Sequence, residues 1–304
     1  MIVISGVTSY LGKNFYQALQ ALQTQVVIVA RSSSDLSAFS RNTNTTILKY
    51  NHLPTEIIES IPKDTFRGSM YFEFAWNGVF GTERNQPEQI TVNIPLMLAS
   101  VQLAHHLGAM HWLGIGSQAE YGNLDKTITE DEPCMPTTMY GKAKLAALQL
   151  TEQLCQNYGM HHSWLRLFSL YGPNDNHKWF IPYVIEQMKQ NSPLDTTLAV
   201  QYWDYLYIED AVNALLSIKA DTPLGVCNLA SGTSTQLKEI IEHIRQLLHS
   251  ASVVNYGAVP YRPDQVMYMQ ADIQRLSRLT GWQPKFNIYQ GLQKTIAIQT
   301  PQHI

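Results

Sequence analysis

The opening of the chain constrains its fold more than any other stretch. An apolar run, Met1-Ile2-Val3-Ile4, leads straight into Ser5-Gly6-Val7-Thr8-Ser9-Tyr10-Leu11-Gly12 and then into a helical pattern. Leu11, Phe15, Ala18, Leu19 and Leu22 recur at the spacing of one helical face. The rhythm then repeats, with apolar runs at 26–30, 46–50, 70–75, 112–115 and 164–168 reading as further strands. Their near-continuous apolar character suits parallel strands covered on both faces. Repetition of this kind predicts an α/β fold built on a doubly wound parallel Rossmann sheet, with ligands at the carboxyl ends of the strands.

Longer helical patterns run over 89–107 and 137–158, and Pro95 predicts that the first of these kinks or begins there. After Tyr171-Gly172-Pro173 the rhythm changes. The chain therefore divides into a cofactor-binding domain over 1–172 and a smaller substrate-binding region over 173–304, with shorter helices near 180–190, 210–219 and 237–248. The stretch 203–232 is expected to return and pack on the Rossmann sheet. Asp210 is expected to cap the helix it opens, and the tail 299–304 to fray.

Composition removes several classes of function. With 21 basic and 24 acidic side chains the formal charge is −3, so no basic stripe is available to bind nucleic acid. No apolar run is expected to reach the ~18–20 residues of a spanning helix, which argues against membrane insertion. A strand at Met1 leaves no room for a signal peptide and predicts a cytoplasmic protein. Cys134, Cys155 and Cys227 cannot all pair and read as buried thiols of a reducing compartment. The adjacent pairs His105-His106 and His161-His162 do not converge on one ion, and no metal-ligand spacing occurs.

The glycine loop suits a phosphate group. A pyrophosphate wants backbone N–H donors at a helix N-terminus and no side chain in its way. Gly6 and Gly12 provide the tight turn and close helix–strand packing, while Thr8, Ser9, Tyr10 and Leu11 form the first turn. Ser9 stands where a middle glycine is usual, and its hydroxyl can itself donate to phosphate. A plain β–α turn is the alternative. At the end of the second strand the chain reads Ala30-Arg31-Ser32-Ser33-Ser34 rather than an acid. A guanidinium followed by hydroxyls suits a ribose 2′-phosphate, favouring NADP(H) over NAD(H), unless Arg31 is only a solvated strand-end charge.

Tyr140 and Lys144 lie four apart on one helical face. A phenol near its ordinary pKa of ~10 is a poor proton donor–acceptor at neutral pH, and a neighbouring ammonium favours the phenolate. Ser117 follows the fifth strand and would stand at the carboxyl edge of the sheet, where its hydroxyl can hold a reacting oxygen.

With these features in order, the chain resembles the extended short-chain dehydrogenases/reductases, the nucleotide-sugar epimerase/dehydratase/reductase group. Asn93, Arg166, Tyr171-Gly172-Pro173, Trp203-Asp204-Tyr205, Cys227-Asn228-Leu229-Ala230-Ser231-Gly232 and Gly281-Trp282-Gln283-Pro284 extend the resemblance over nearly the whole chain. The resemblance implies Ser117, Tyr140 and Lys144 as the catalytic set. It implies cofactor contacts at the glycine loop, Arg31, Ser32, Phe74, Ala75, Trp76 and Asn93, with Tyr140 and Lys144 also at the cofactor. It also implies a homodimer through helices at about 87–107 and 136–158.

The dehydratase branch needs an acid and a base directly after Ser117, and here those positions hold Gln118 and Ala119. Glu120 is expected to point away. Phe74 to Val79, Gly116 to Gly122, Trp203-Asp204-Tyr205 and Tyr261-Arg262-Pro263-Asp264-Gln265 are most similar to CDP-deoxysugar 4-reductases. That implies reduction of the C4 ketone of a nucleotide-linked 4-keto-6-deoxy sugar. An NAD-dependent 4-epimerase uses the same residues, and a catalytically inactive cofactor-binding sensor or scaffold is a third possibility.

Arg262 is the expected diphosphate ligand, unless it is a rim charge paired with Asp264. Asn176, Lys178 and Trp179 are expected at the nucleotide, and Trp76, Ser117, Gln118 and Trp203 at the sugar. Two phosphate-bearing ligands require a local positive cleft, expected at Arg31, Lys144 and Arg262.

Overall fold

A computed structural model describes residues 1–262 and 265–299. Asp264, Pro263 and the tail beyond Gln299 lie outside the described residues. The chain opens with β1 (Ile2–Ser5), α1 (Tyr10–Ala21), β2 (Val26–Arg31), β3 (Thr45–Tyr50) and β4 (Met70–Glu73). Then come α2 (Glu88–Thr91), α3 (Asn93–Leu107), β5 (His111–Ser117), β6 (Thr127–Ile128), α4 (Met139–Tyr158) and β7 (His161–Leu167). The remainder begins with β8 (Ser169–Tyr171), α5 (Phe180–Lys189), β9 (Leu194–Thr196), β10 (Tyr202–Trp203), β11 (Tyr205–Tyr207) and α6 (Ile208–Ser217). It continues through β12 (Gly225–Leu229), β13 (Thr235–Gln236), α7 (Leu237–Leu247), β14 (Val254–Tyr256) and β15 (Tyr268–Ala271), ending in α8 (Gln274–Thr280) and α9 (Ile288–Gln299).

The central sheet has seven parallel strands in the order β12-β7-β5-β4-β1-β2-β3. Successive side chains of a strand point to opposite faces, and β1 obeys this: Ile4 enters one core with Phe15 and Phe72, while Val3 enters another with Trp112 and Trp164. Helices cover both faces, which is why the inner strands read as largely apolar runs, while the edge strand β3 has only Tyr50 buried. The strand order reverses between β1 and β4, and the crevice there is where such sheets take ligands.

The two regions exchange elements. β12 completes the edge of the large sheet beside β7, and β6 joins a four-stranded sheet with β13, β10 and β15. Asp204 ties that corner together by accepting from Ser231 N at 2.8 Å, Ser231 Oγ at 2.6 Å and Gly232 N at 3.1 Å.

Three expectations change. The break near Pro95 falls earlier, at Val92, and α3 starts at Asn93. Pro95 then sits in the first helical turn, where its missing N–H leaves no bond unmade. Asp210 does not cap α6; its carboxylate accepts from Lys285 N and Phe286 N, both at 2.9 Å, and so pins the C-terminal segment. Finally, Glu88–Leu107 is long and apolar enough to cross a membrane by length and composition alone. Half of that stretch is buried within the fold, where two-sided packing between the sheet and α4 accounts for its apolar character.

Candidate active site

The turn between β1 and α1 faces the crevice. A Cβ on Gly6 would stand 2.4 Å from Ala75 N, and one on Gly12 would stand 2.5 Å from Gly6 O. Only bare backbone allows these approaches, so a strand end, a helix start and the loop after β4 meet at one point. Ser9 caps α1 by accepting from Gly12 N at 3.1 Å, leaving its hydroxyl proton free for a ligand. Thr8 is exposed and Leu11 is buried beneath the turn. Tyr10 donates to Pro173 O at 3.2 Å, linking the turn to the strand β8 corner. This cradle fits the pyrophosphate of a dinucleotide.

At the end of β2, Arg31 and Ser32 are exposed. Ser32 Oγ donates to Tyr50 O at 3.1 Å, so its hydroxyl proton is used inside the fold. Phe74 is buried, while Ala75 and Trp76 lie half-buried on the loop that follows β4. Asn93 is buried under the same loop: it accepts from Asn77 N at 2.9 Å and donates to Asn77 O at 3.0 Å. Its amide therefore shapes the loop that meets Gly6.

The expected catalytic set converges at the carboxyl edge of β5. Ser117 is the last residue of that strand, and its hydroxyl accepts from Ala119 N at 3.1 Å. Tyr140 and Lys144 are one turn apart at the start of α4, which Thr138 caps by accepting from Gly141 N at 3.1 Å. Lys144 Nζ donates to Ile115 O at 2.7 Å and stands 3.7 Å from the Trp76 ring centroid and 5.9 Å from that of Tyr140. Burial pulls the Lys144 ammonium below its ordinary range, and the carboxylates of Glu120 and Glu73 oppose that pull. Burial likewise raises the Tyr140 phenol, against the Ser117 hydroxyl and the Arg84 guanidinium, which favour the phenolate.

Glu120 turns into the protein. It is fully buried, accepting from Ser117 N at 2.8 Å, Trp164 Nε1 at 3.0 Å and Arg166 Nε at 2.8 Å. The ion pair with Arg166 accounts for that arginine and leaves Gln118 and Ala119 facing the site.

Beside this set lies a cavity of about 760 Å³. Its wall includes the expected substrate residues Gln118, Lys178, Trp179, Trp203 and Arg262. Trp76 and Ser117 stand instead with Tyr140 and Lys144. Asn176 is exposed, spends its side-chain oxygen on Lys178 N at 3.0 Å, and is not on the wall. The wall also holds Phe80 and Arg84, which sequence reasoning missed. Phe80 packs against Trp179 in a tilted pair with centroids 4.6 Å apart, and Arg84 lies over the Tyr140 ring at 4.5 Å. Among the described residues the cations of the wall are Arg84, Lys178 and Arg262, against the one acidic lining residue Glu83, while Arg31 lies on β2 and Lys144 is buried.

Glu73 was also missed, although a glutamate inside the apolar run of β4 was a visible signal. It is buried, accepts from Ala75 N at 2.8 Å, and burial pushes its carboxyl up to about 7.

A Rossmann sheet with a glycine turn at β1 and a Ser–Tyr–Lys set at β5 and α4 defines the short-chain dehydrogenase/reductase class. Within it, the chain belongs to the NAD dependent epimerase/dehydratase family, whose sequence profile matches residues 2–230. Over 138 residues it is 41% identical to a CDP-abequose synthase of Salmonella muenchen, a match covering 44% of this chain and 47% of that one. The matched segment is therefore about half the length of that relative. A dTDP-4-dehydro-6-deoxyglucose reductase of Escherichia coli is 25% identical over 181 residues, covering 58% of this chain and 57% of the other. In structure the fold is similar to the UDP-glucose 4-epimerase of Thermotoga maritima, with a TM-score of 0.84, 21% identity and 97% of each chain covered.

Proposed function

We propose that this protein is a cytoplasmic NADPH-dependent reductase acting on the C4 ketone of a nucleotide-linked 4-keto-6-deoxy sugar. One observation carries this reading: Ser117, Tyr140 and Lys144 stand together while Gln118 and Ala119, which have no acid or base to offer, face the adjoining cavity. The similarity to an abequose synthase and to a 4-keto sugar reductase supports it.

NADPH, when bound, supplies the hydride. Tyr140 gives its phenolic proton to the oxygen that becomes the C4 hydroxyl. Ser117 Oγ donates a hydrogen bond to the same oxygen, and Lys144 favours the phenolate through its charge. Gly6, Gly12 and the N-terminus of α1 receive the pyrophosphate, Arg31 the 2′-phosphate, and Asn93 holds the loop carrying Ala75 and Trp76 in place. Arg262 and Lys178 bind the substrate diphosphate, with Trp179 and Trp203 along the nucleotide and sugar. The protein acts as a homodimer through α2, α3 and α4, where Ile90, Val92 and Leu150 are exposed.

The test is NADPH consumption with CDP-, dTDP-, GDP- and UDP-linked 4-keto-6-deoxy sugars, alongside analysis of co-purified nucleotide. Consumption with at least one substrate, best with the CDP sugar, is expected. Tightly bound NAD with no NADPH consumption would favour a 4-epimerase.

A further inference from the structure

The Tyr140 phenol has a second cation that no motif announces. Arg84 lies in a short 3-10 turn, Gly81–Asn85, ahead of α2. Its guanidinium carbon stands 4.5 Å from the Tyr140 ring centroid, closer than Lys144 Nζ at 5.9 Å. The same side chain forms part of the cavity wall, so it meets both the phenol and the space a substrate would fill. Among the described residues no carboxylate forms an ion pair with it.

The two cations differ in kind. Lys144 is buried, hydrogen-bonded to Ile115 O and pressed on Trp76, and its charge depends on Glu73 and Glu120. A guanidinium keeps its charge at every working pH. The other groups facing Tyr140 are the Ser117 hydroxyl at the end of β5, the Glu120 carboxylate in the turn after it, and the Trp76 ring, edge-on at 6.1 Å. Of these, the carboxylate opposes a phenolate, the hydroxyl supports one, and the indole carries no charge.

We propose that Arg84 is a positioning residue for proton transfer: its guanidinium, laid on the Tyr140 ring at the cavity wall, is the fixed charge that holds the phenolate. In that transfer the phenol O–H bond breaks, its electron pair stays on the Tyr140 oxygen, and a new O–H bond forms on the substrate alkoxide. An opposite charge at this range shifts a titration by about one to two pH units. The inference rests on Tyr140 being the proton donor of the proposed reduction, but the phenol can be titrated without turnover.

The experiment uses full-length protein labelled with 13C at the tyrosine ζ carbon, with the Tyr140 resonance assigned by its loss in Tyr140→Phe. Titration runs between about pH 6 and 11, with and without saturating NADP+. Wild type with NADP+ is expected to titrate within that range. Arg84→Met should move the midpoint up by about one to two units, and Arg84→Lys should bring it part of the way back. The rate should follow, with kcat at neutral pH falling about ten-fold or more in Arg84→Met while KM stays near wild type. An unchanged midpoint in Arg84→Met overturns the proposal, as does a wild-type phenol protonated throughout. A raised KM with unchanged kcat also overturns it, making Arg84 a substrate ligand instead. If wild type consumes no NADPH with any 4-keto sugar, the functional proposal falls while the titration still decides the role of Arg84.

Discussion

The two sides of the crevice are built from different material. On the cofactor side, Gly6, Ser117, Tyr140 and Lys144 stand at strand ends and helix starts, and the last three are buried. On the substrate side, Lys178, Trp179 and Arg262 come from turns and loops, and all three are exposed. A parallel sheet fixes its strand ends by register, so chemistry placed there is held by the whole core. Loops can change without disturbing that core, which makes them the natural seat of specificity. Damage to the cofactor side should therefore abolish turnover or folding, whereas damage to the substrate side should change affinity.

The sharpest division should appear at Tyr140. Tyr140→Phe removes the proton donor and should lower kcat by about 10²–10⁴-fold, with NADPH affinity by fluorescence titration nearly unchanged. Gly6→Ala strikes the frame rather than the chemistry. Its Cβ would stand 2.4 Å from Ala75 N, and at φ +73 the backbone disfavours a side chain. A loss of about 2–3 kcal/mol in urea unfolding should accompany failure to bind NADPH. At the rim of the cofactor side, Arg31→Ala should reduce the preference for NADPH over NADH about 10–100-fold, read from the two kcat/KM values. Across the crevice, Arg262→Ala should raise the KM for the nucleotide sugar about ten-fold with kcat retained. An equal fall in kcat there would erase the proposed distinction.

The sheet itself carries a smaller pH limit. His111 opens β5, is fully buried beside Ser163 Oγ at 2.7 Å, and burial holds its imidazole down at about 4. Its folded value lies below the ordinary ~6.5, so the contribution to stability is complete above pH 6.5 and is lost as pH falls toward 4. Between pH 6.5 and 5.5 that loss is about 1 kcal/mol, and His111→Gln should flatten the acid slope of urea midpoints.

The contrast between the two sides also explains how far the sequence could be read. The strands β1, β2, β4, β5 and β7 announce themselves because burial on both faces leaves largely apolar runs, whereas the edge strand β3 has only Tyr50 buried. Tyr140 and Lys144 do so because helical spacing puts them on one face. Their boundaries were less legible, as Val92 and Pro95 illustrate: a proline in a first turn looks the same in sequence as one that breaks a helix. Strands of two or three residues, such as β6, β10 and β13, carry no period to detect and exist only through distant pairing. Arg84 belongs to the same class of hidden feature. Nothing local to the Gly81–Asn85 turn signals that its arginine meets a phenol on α4. Glu73 differs, since a carboxyl within the apolar strand β4 was a local anomaly whose meaning needed the neighbouring Lys144.

The most direct measurement follows deuterium from the cofactor. Purified enzyme is given NADPH carrying deuterium at nicotinamide C4, in separate samples for its two faces, together with a CDP-linked 4-keto-6-deoxy sugar. One sample should yield NADP+ and a sugar with one deuterium at C4 for each cofactor oxidised. No label in the sugar from either sample and no net oxidation, with interconversion of a 4-hydroxy nucleotide sugar on tightly bound NAD instead, would contradict the reductase assignment.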